Sequence, residues 1–126
     1  MILTLHTEGW FDAAHHLDNY EGACKNIHGH TYKVEVWVQG DDSRLNKAGI
    51  LWDFGNLKNL IKKWDHPEFG ELNNWFKCNP TAEHMAVIIF KKLKSNHSYL
   101  NFKVRIYEQI EPKKSWCECG DINGNQ

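Results

Sequence analysis

No stretch of the 126 residues is long and apolar enough to span a membrane, and the opening Met1-Ile2-Leu3-Thr4-Leu5-His6 lacks the charged start and extended apolar core of a secretion signal. Cytoplasmic residence is therefore expected. Neither charge is in excess: 15 basic against 16 acidic residues give a net charge of -1, which leaves no electrostatic footprint for a nucleic acid or an anionic membrane. The four cysteines, Cys24, Cys78, Cys117 and Cys119, contain no C-x-x-C pair, so free thiols in a reducing compartment are the simplest reading. A second zinc site on Cys117 and Cys119 is the weaker alternative, because that pair supplies only two ligands. Internal repeats and low-complexity linkers are absent too. With 41% apolar and 13% aromatic residues, the chain is expected to fold as one domain over residues 1–126 around a modest core.

What the sequence does have is a concentration of metal-ligating side chains between Phe11 and Tyr32. In an extended segment successive side chains alternate faces, so His28 and His30 point the same way, at the head of an apolar stripe through Tyr32, Val34, Val36 and Val38. On the preceding run Phe11, Ala13 and His15 share a face, and the intervening loop can fold back to set His15 against the pair. Three neutral imidazoles with a fourth position open is the arrangement of a catalytic zinc rather than a structural one. A single His-x-His also occurs as a polar patch on a strand. Cys24 lies beside this segment, and its two readings are a reactive thiol or a small buried hydrophobe.

Along the chain, Ile2 to Ala14 reads as a strand with a bulge at Gly9, Asp18 to Ile27 as a polar loop, and His28 to Gln39 as a second strand. Asp53 is placed to cap a helix whose apolar positions are Phe54, Leu57, Leu60, Ile61 and Trp64, ending before Pro67. Ala82, Met85, Ala86, Ile89, Phe90 and Leu93 form the clearest helical stripe. Asn101 to Glu108 alternates again, with Phe102, Val104 and Ile106 inward. Glu108 falls on that inward side, either as a strand end reaching solvent or as a ligand-binding carboxylate. A last strand is expected around Ser115 to Glu118, and a frayed tail from Gly120 to Gln126. The order β-β-α-α-β-β, with helices segregated from strands, predicts an α+β fold: an antiparallel four-stranded sheet covered on one face by two helices. Its open edges favour association into an oligomer.

Phe11-Asp12-Ala13-Ala14-His15, Cys24-x3-His28-Gly29-His30, Asp65-His66, Asn79-Pro80-Thr81-Ala82-Glu83, Tyr107-Glu108 and Ser115-Trp116 occur in this order across nearly the whole chain. In this the sequence resembles the 6-pyruvoyltetrahydropterin synthase family. The spacing from Cys24 to His28 is similar to that of the family's bacterial branch, the 6-carboxytetrahydropterin synthases of queuosine and 7-deazapurine biosynthesis.

The resemblance implies a tunnelling fold, in which trimers close their sheets into a barrel, two trimers stack as a hexamer, and active sites lie between subunits. It implies a zinc-dependent lyase that converts 7,8-dihydroneopterin triphosphate to 6-carboxy-5,6,7,8-tetrahydropterin with release of triphosphate and acetaldehyde. The pyruvoyl-forming relative and a pterin- or zinc-binding module without turnover are the alternatives. Carried over by position, His15, His28 and His30 bind zinc, Cys24 is the proton-transferring base, and Asp65 with His66 completes its relay. Glu108 holds the amino-pyrimidine edge of the pterin, with Thr81 and Glu83 either assisting or only capping the second helix. His6, His16, His84 and His97 are surface or supporting imidazoles, and Lys25, Lys33 and Arg105 are candidates for the triphosphate by charge. The sequence departs from the family pattern where Pro67 to Glu71 separate Asp65-His66 from Leu72-Asn73. It departs again where Gln109 replaces a threonine after Glu108.

Overall fold

Residues 1–68 and 70–122 are described by the computed structural model. The strands are β1 (Ile2–His15), β2 (His28–Asp41), β3 (Asn101–Gln109) and β4 (Ser115–Gly120), and the helices are α1 (Gly55–Ile61) and α2 (Ala82–Asn96). All four strands pair antiparallel in the order β1-β2-β3-β4. The α+β architecture expected from the sequence is thus present, both helices on one face.

Period-two alternation decides which residues face those helices. Phe11, Ala13 and His15 of β1, Tyr32, Val34, Val36 and Val38 of β2, and Phe102, Val104 and Ile106 of β3 are buried on the helical side. Against them α2 buries Ala82, Met85, Ala86, Ile89 and Leu93, the stripe its spacing predicts. Each such aliphatic or aromatic side chain contributes about 1.5–3 kcal/mol on leaving water. The Thr81 hydroxyl accepts a hydrogen bond from the His84 N–H at 3.1 Å, satisfying one of the free amides at the start of α2.

Among the described residues the opposite face of the sheet carries no helix. There the register aligns Trp10, Lys33, Tyr107 and Trp116 in one row and Glu8, Glu35, Arg105 and Glu118 in the next. Lys33 bonds Glu8 at 3.0 Å, and Arg105 bonds Glu118 at 2.8 Å while lying 4.0 Å over the Trp116 ring. Glu35 is buried even here, held by His6 at 2.8 Å.

Three local expectations are corrected. Gly9 makes no bulge, since β1 pairs with β2 without interruption and Gly9 stands opposite Val34. A Cβ at this position would lie 3.0 Å from Ile61 Cδ1 and 3.5 Å from Leu57 Cδ2, so the glycine leaves room for the side chains of α1 against the sheet. The first helix is shorter than its apolar spacing suggests, because Asp53 accepts from Gly55 N at 2.8 Å in a turn before the helix and residues Lys62–Trp64 tighten into a 3-10 turn. Phe54 accordingly points to solvent. At the other end β4 runs on to Gly120, and Asp121 is fixed by Phe102 N at 2.8 Å and Lys94 at 2.7 Å, so the chain is ordered past the point where fraying was expected. Residues 123–126 of that tail lie outside the described residues.

Candidate metal centre and active site

The pairing of β1 with β2 sets His15 directly opposite His28 and Ala13 opposite His30. Three imidazoles therefore meet on the helical face, and β3 adds Glu108. One ligand atom from each of His15, His28, His30 and Glu108 lies within 4.8 Å of every other. His15 is fully buried beneath them, its ring edge-on to both of the others.

Hydrogen bonds define which nitrogens are free. His15 Nδ1 lies 2.8 Å from the Pro80 carbonyl, and His28 Nδ1 lies 2.7 Å from the Asn26 carbonyl. A carbonyl only accepts, so each Nδ1 carries the proton and each neutral ring presents a lone pair at Nε2. Those two Nε2 atoms face each other at 3.0 Å. Two acceptors at that distance repel unless a cation lies between them. His30 Nε2 is buried without a well-aligned hydrogen bond, although Glu108 Oε1 stands 3.1 Å away. Around a tetrahedral zinc, nitrogen donors would sit roughly 3.3 Å apart, so the 3.0 Å pair on His15 and His28 is close to the spacing of two ligands of one divalent cation.

Electrostatics favour the ligating forms. Burial lowers the affinity of His15 for a proton, against the opposing bond to Pro80. The neighbouring His30 holds Glu108 below the usual carboxylate range in spite of its burial. Tyr32 packs under the cluster with its hydroxyl 3.2 Å from His15 Nδ1, and burial raises its phenol above the ordinary value. It is a supporting wall, not an anion.

Glu108 also lines a cavity of about 350 Å³ with Ala82, Glu83, Ser115, Trp116 and Cys117. Of the two residues expected to assist it, Glu83 is thus brought to the same cavity, whereas Thr81 has its hydroxyl engaged at the helix cap. Asp65 and His66 lie elsewhere, on the free edge of β1. Asp12 N–H donates to Asp65 Oδ1 at 2.8 Å, His66 N–H donates to Asp12 O at 2.8 Å, and His66 Nδ1 is 3.1 Å from the Asp65 carboxylate. The Asp12 amide holds the Asp65 carboxyl below the usual range. His66 adopts φ 46, an uncommon conformation for a residue with a Cβ, and its side chain is 78% exposed. With Asp12, Gly29, His30 and Thr31 it lines a second cavity of about 590 Å³.

Cys24 occupies a 3-10 turn, Ala23–Lys25, whose Cys24 carbonyl accepts from Leu17 N at 2.9 Å. Its thiol is partly exposed and belongs to neither the histidine cluster nor the Asp65 and His66 group. Within one chain, therefore, the expected base and its expected relay are not brought together. Of the basic candidates, Lys33 and Arg105 are committed to Glu8 and Glu118, and Lys25, adjoining Cys24, is not ion-paired among the described residues.

Sequence reasoning missed the groups that orient the ligands, the Pro80 and Asn26 carbonyls. It also missed Asn73 and Asn79, whose amides grip the chain just beyond His15. Backbone acceptors leave no mark in residue identity, although Asn79-Pro80-Thr81 stands out as a motif.

The family model for 6-pyruvoyl tetrahydropterin synthase matches residues 4–121. The chain belongs to that family. A 6-carboxy-5,6,7,8-tetrahydropterin synthase from Haemophilus influenzae is 34% identical over 86% of this chain and 92% of its own length. A protein from Pyrococcus horikoshii, described as a putative 6-carboxy-5,6,7,8-tetrahydropterin synthase, is 49% identical over 44% of this chain, a segment that spans 34% of that relative. The solved structure of 6-pyruvoyl tetrahydropterin synthase from Plasmodium vivax superposes with a TM-score of 0.63 at 18% identity, covering 94% of this chain and 98% of that one. This last likeness bears on the fold alone. The chain is thus an enzyme of a lyase family with a tunnelling-type fold. Among the described residues no helix is long and apolar enough to cross a membrane.

Proposed function

We propose that the chain is a zinc-dependent 6-carboxytetrahydropterin synthase, acting on 7,8-dihydroneopterin triphosphate and releasing triphosphate and acetaldehyde in the service of 7-deazapurine formation. The observation that carries the zinc is the pair of unprotonated Nε2 atoms on His15 and His28, face to face at 3.0 Å beside the buried His30 Nε2. Relatives named for the carboxy product, one of them aligned over most of its length, support the reaction over that of the pyruvoyl-forming branch. A cluster so exactingly oriented argues against a passive binding module.

In this reading His15, His28 and His30 hold the metal, which supplies Lewis acidity toward the hydroxyls of the substrate side chain. Glu108 accepts two hydrogen bonds from the ring N–H and exocyclic amine of the pterin, with Glu83 in the same cavity assisting. Cys24, partly exposed on its 3-10 turn, is the proton-transferring group. Since Asp65 and His66 stand apart from Cys24 in the chain, they serve the thiol of a second copy across a subunit boundary. This is consistent with a site assembled between protomers of a hexamer, a dimer of trimers. Lys25, adjoining Cys24, is the candidate for the triphosphate.

The test is incubation of zinc-loaded protein with 7,8-dihydroneopterin triphosphate, followed by mass spectrometry. Acetaldehyde and 6-carboxytetrahydropterin are expected. A pyruvoyl product would move the chain to the sister activity, and absence of turnover with zinc bound would refute the catalytic reading.

A further inference from the structure

We infer that Asn79 is a positioning residue for the metal centre, acting through the Pro80 carbonyl on His15; the inference rests on the zinc reading above. On its free side the first strand has no strand partner among the described residues, yet beyond His15 its backbone is not left open. Asn79 Oδ1 accepts from Asp18 N at 2.9 Å while Asn79 Nδ2 donates to Asp18 O at 2.8 Å. One rung earlier, Asn73 Oδ1 accepts from His16 N and Asn73 Nδ2 donates to His16 O, both at 2.9 Å. A carboxamide carries one acceptor and one donor side by side, so each asparagine completes both hydrogen bonds of one backbone residue, as a neighbouring strand would.

The rung at Asn79 has a consequence that the rung at Asn73 lacks. The residue after it is Pro80, and it is the Pro80 carbonyl that receives the His15 Nδ1 proton at 2.8 Å. Asn79 is further fixed through its own carbonyl, which accepts from Thr81 N at 2.9 Å and from His84 Nδ1 at 2.6 Å. Proline has a locked φ, so a Pro80 held at Asn79 on one side and by the start of α2 on the other leaves its carbonyl little room to move. The segment closes a short circuit, from His15 along the chain to Asp18, across the carboxamide to Asn79, and back through Pro80 to His15. Opening that circuit at the carboxamide frees the acceptor that selects the tautomer and orientation of a metal-binding imidazole. Losing such an outer partner typically weakens metal affinity about 10–100-fold.

The experiment measures the zinc dissociation constant of the full chain by chelator competition, with the cobalt(II) absorption spectrum as a second readout. Asn79→Leu is expected to bind zinc about 10–100-fold more weakly than wild type and to shift the cobalt spectrum. Asn79→Asp keeps the acceptor for Asp18 N and is expected to lose less; it decides the matter alone where the leucine variant does not fold. Ile89→Val, a buried change in α2 away from the circuit, controls for general loss of stability and is expected to bind zinc as wild type does. Wild-type affinity in both Asn79 variants would overturn the inference and leave the zinc reading standing. Equal weakening in Ile89→Val would also overturn it. Failure of the wild-type chain to bind zinc would overturn both.

Discussion

Replacing His28 with asparagine separates its ligand role from its structural role, because asparagine places an amide donor about where Nδ1 stands. The bond to the Asn26 carbonyl, 2.7 Å in the native protein, is retained. What disappears is Nε2, the lone pair held 3.0 Å from that of His15. In metal-free protein that lone pair is a liability, since it faces the acceptor of the buried His15, and a buried acceptor left without a donor costs about 1–3 kcal/mol. Relief of this cost opposes the loss of ring packing, and the metal-free variant should therefore unfold within about 1 kcal/mol of wild type. With zinc the comparison changes. A ligand present at 1,000 times its dissociation constant stabilises the native state by about 4 kcal/mol. For a chain of this length that corresponds to a rise in Tm of roughly 15 °C. The variant, with one ligand fewer, should show only a small fraction of that rise.

The assay is thermal unfolding of both proteins, with chelator and with a graded excess of zinc. A wild-type Tm indifferent to zinc would refute the assignment of the cluster, as would a full zinc response in His28→Asn. A metal-free variant destabilised by several kcal/mol would show that His28 is there for packing. Near-equal stability without metal and a large difference with it is the signature of a residue kept for its ligand role.

Cys24→Ala is expected to lower kcat by about 10²–10⁴-fold, the usual contribution of a positioned proton-transfer group, while zinc content stays unchanged; steady-state kinetics with metal analysis would check both. Glu108→Gln should raise KM for the pterin substrate roughly 10- to 150-fold, the equivalent of about 1.5–3 kcal/mol for a charge-assisted hydrogen bond, and should leave zinc stoichiometry intact. Loss of zinc in that variant would make Glu108 a ligand instead. At Glu35 burial pushes the carboxyl up, but bonds from Tyr107 and His6 and the charge of Lys33 outweigh it, so the folded value lies below the ordinary 4.5. Its contribution to stability is therefore fully present above that pH and is lost as pH falls through the folded value. Glu35→Gln should flatten the acid limb of the stability curve in urea titrations, and an unaltered limb would count against the assignment.

The features legible in the sequence are those that repeat at a fixed period. Alternation along His28 to Val38 is enough to put His28 and His30 on the face of Tyr32 and Val34, and the stripe from Ala82 to Leu93 is enough to lay α2 over them. Gly9 was illegible in kind: a strand glycine signals either a bulge or a close approach, and only the position of Ile61, some fifty residues on, separates the two. The departure at Pro67 to Glu71 is illegible in a different way. Glu71 at its end lies 2.9 Å from His16 Nδ1, beside the Asn73 rung, a contact next to His15 of the histidine cluster. Such a contact depends on two segments that have no common period and meet only at the free edge of β1. The same edge bears Asp65 and His66 through Asp12, and then the two asparagine rungs at His16 and Asp18. Asp65, His66, Asn73 and Asn79 therefore stand in for a neighbouring strand along the end of β1, which ties down the chain on either side of His15. That anchoring is written in asparagine side chains and a proline carbonyl, and in no hydrophobic pattern.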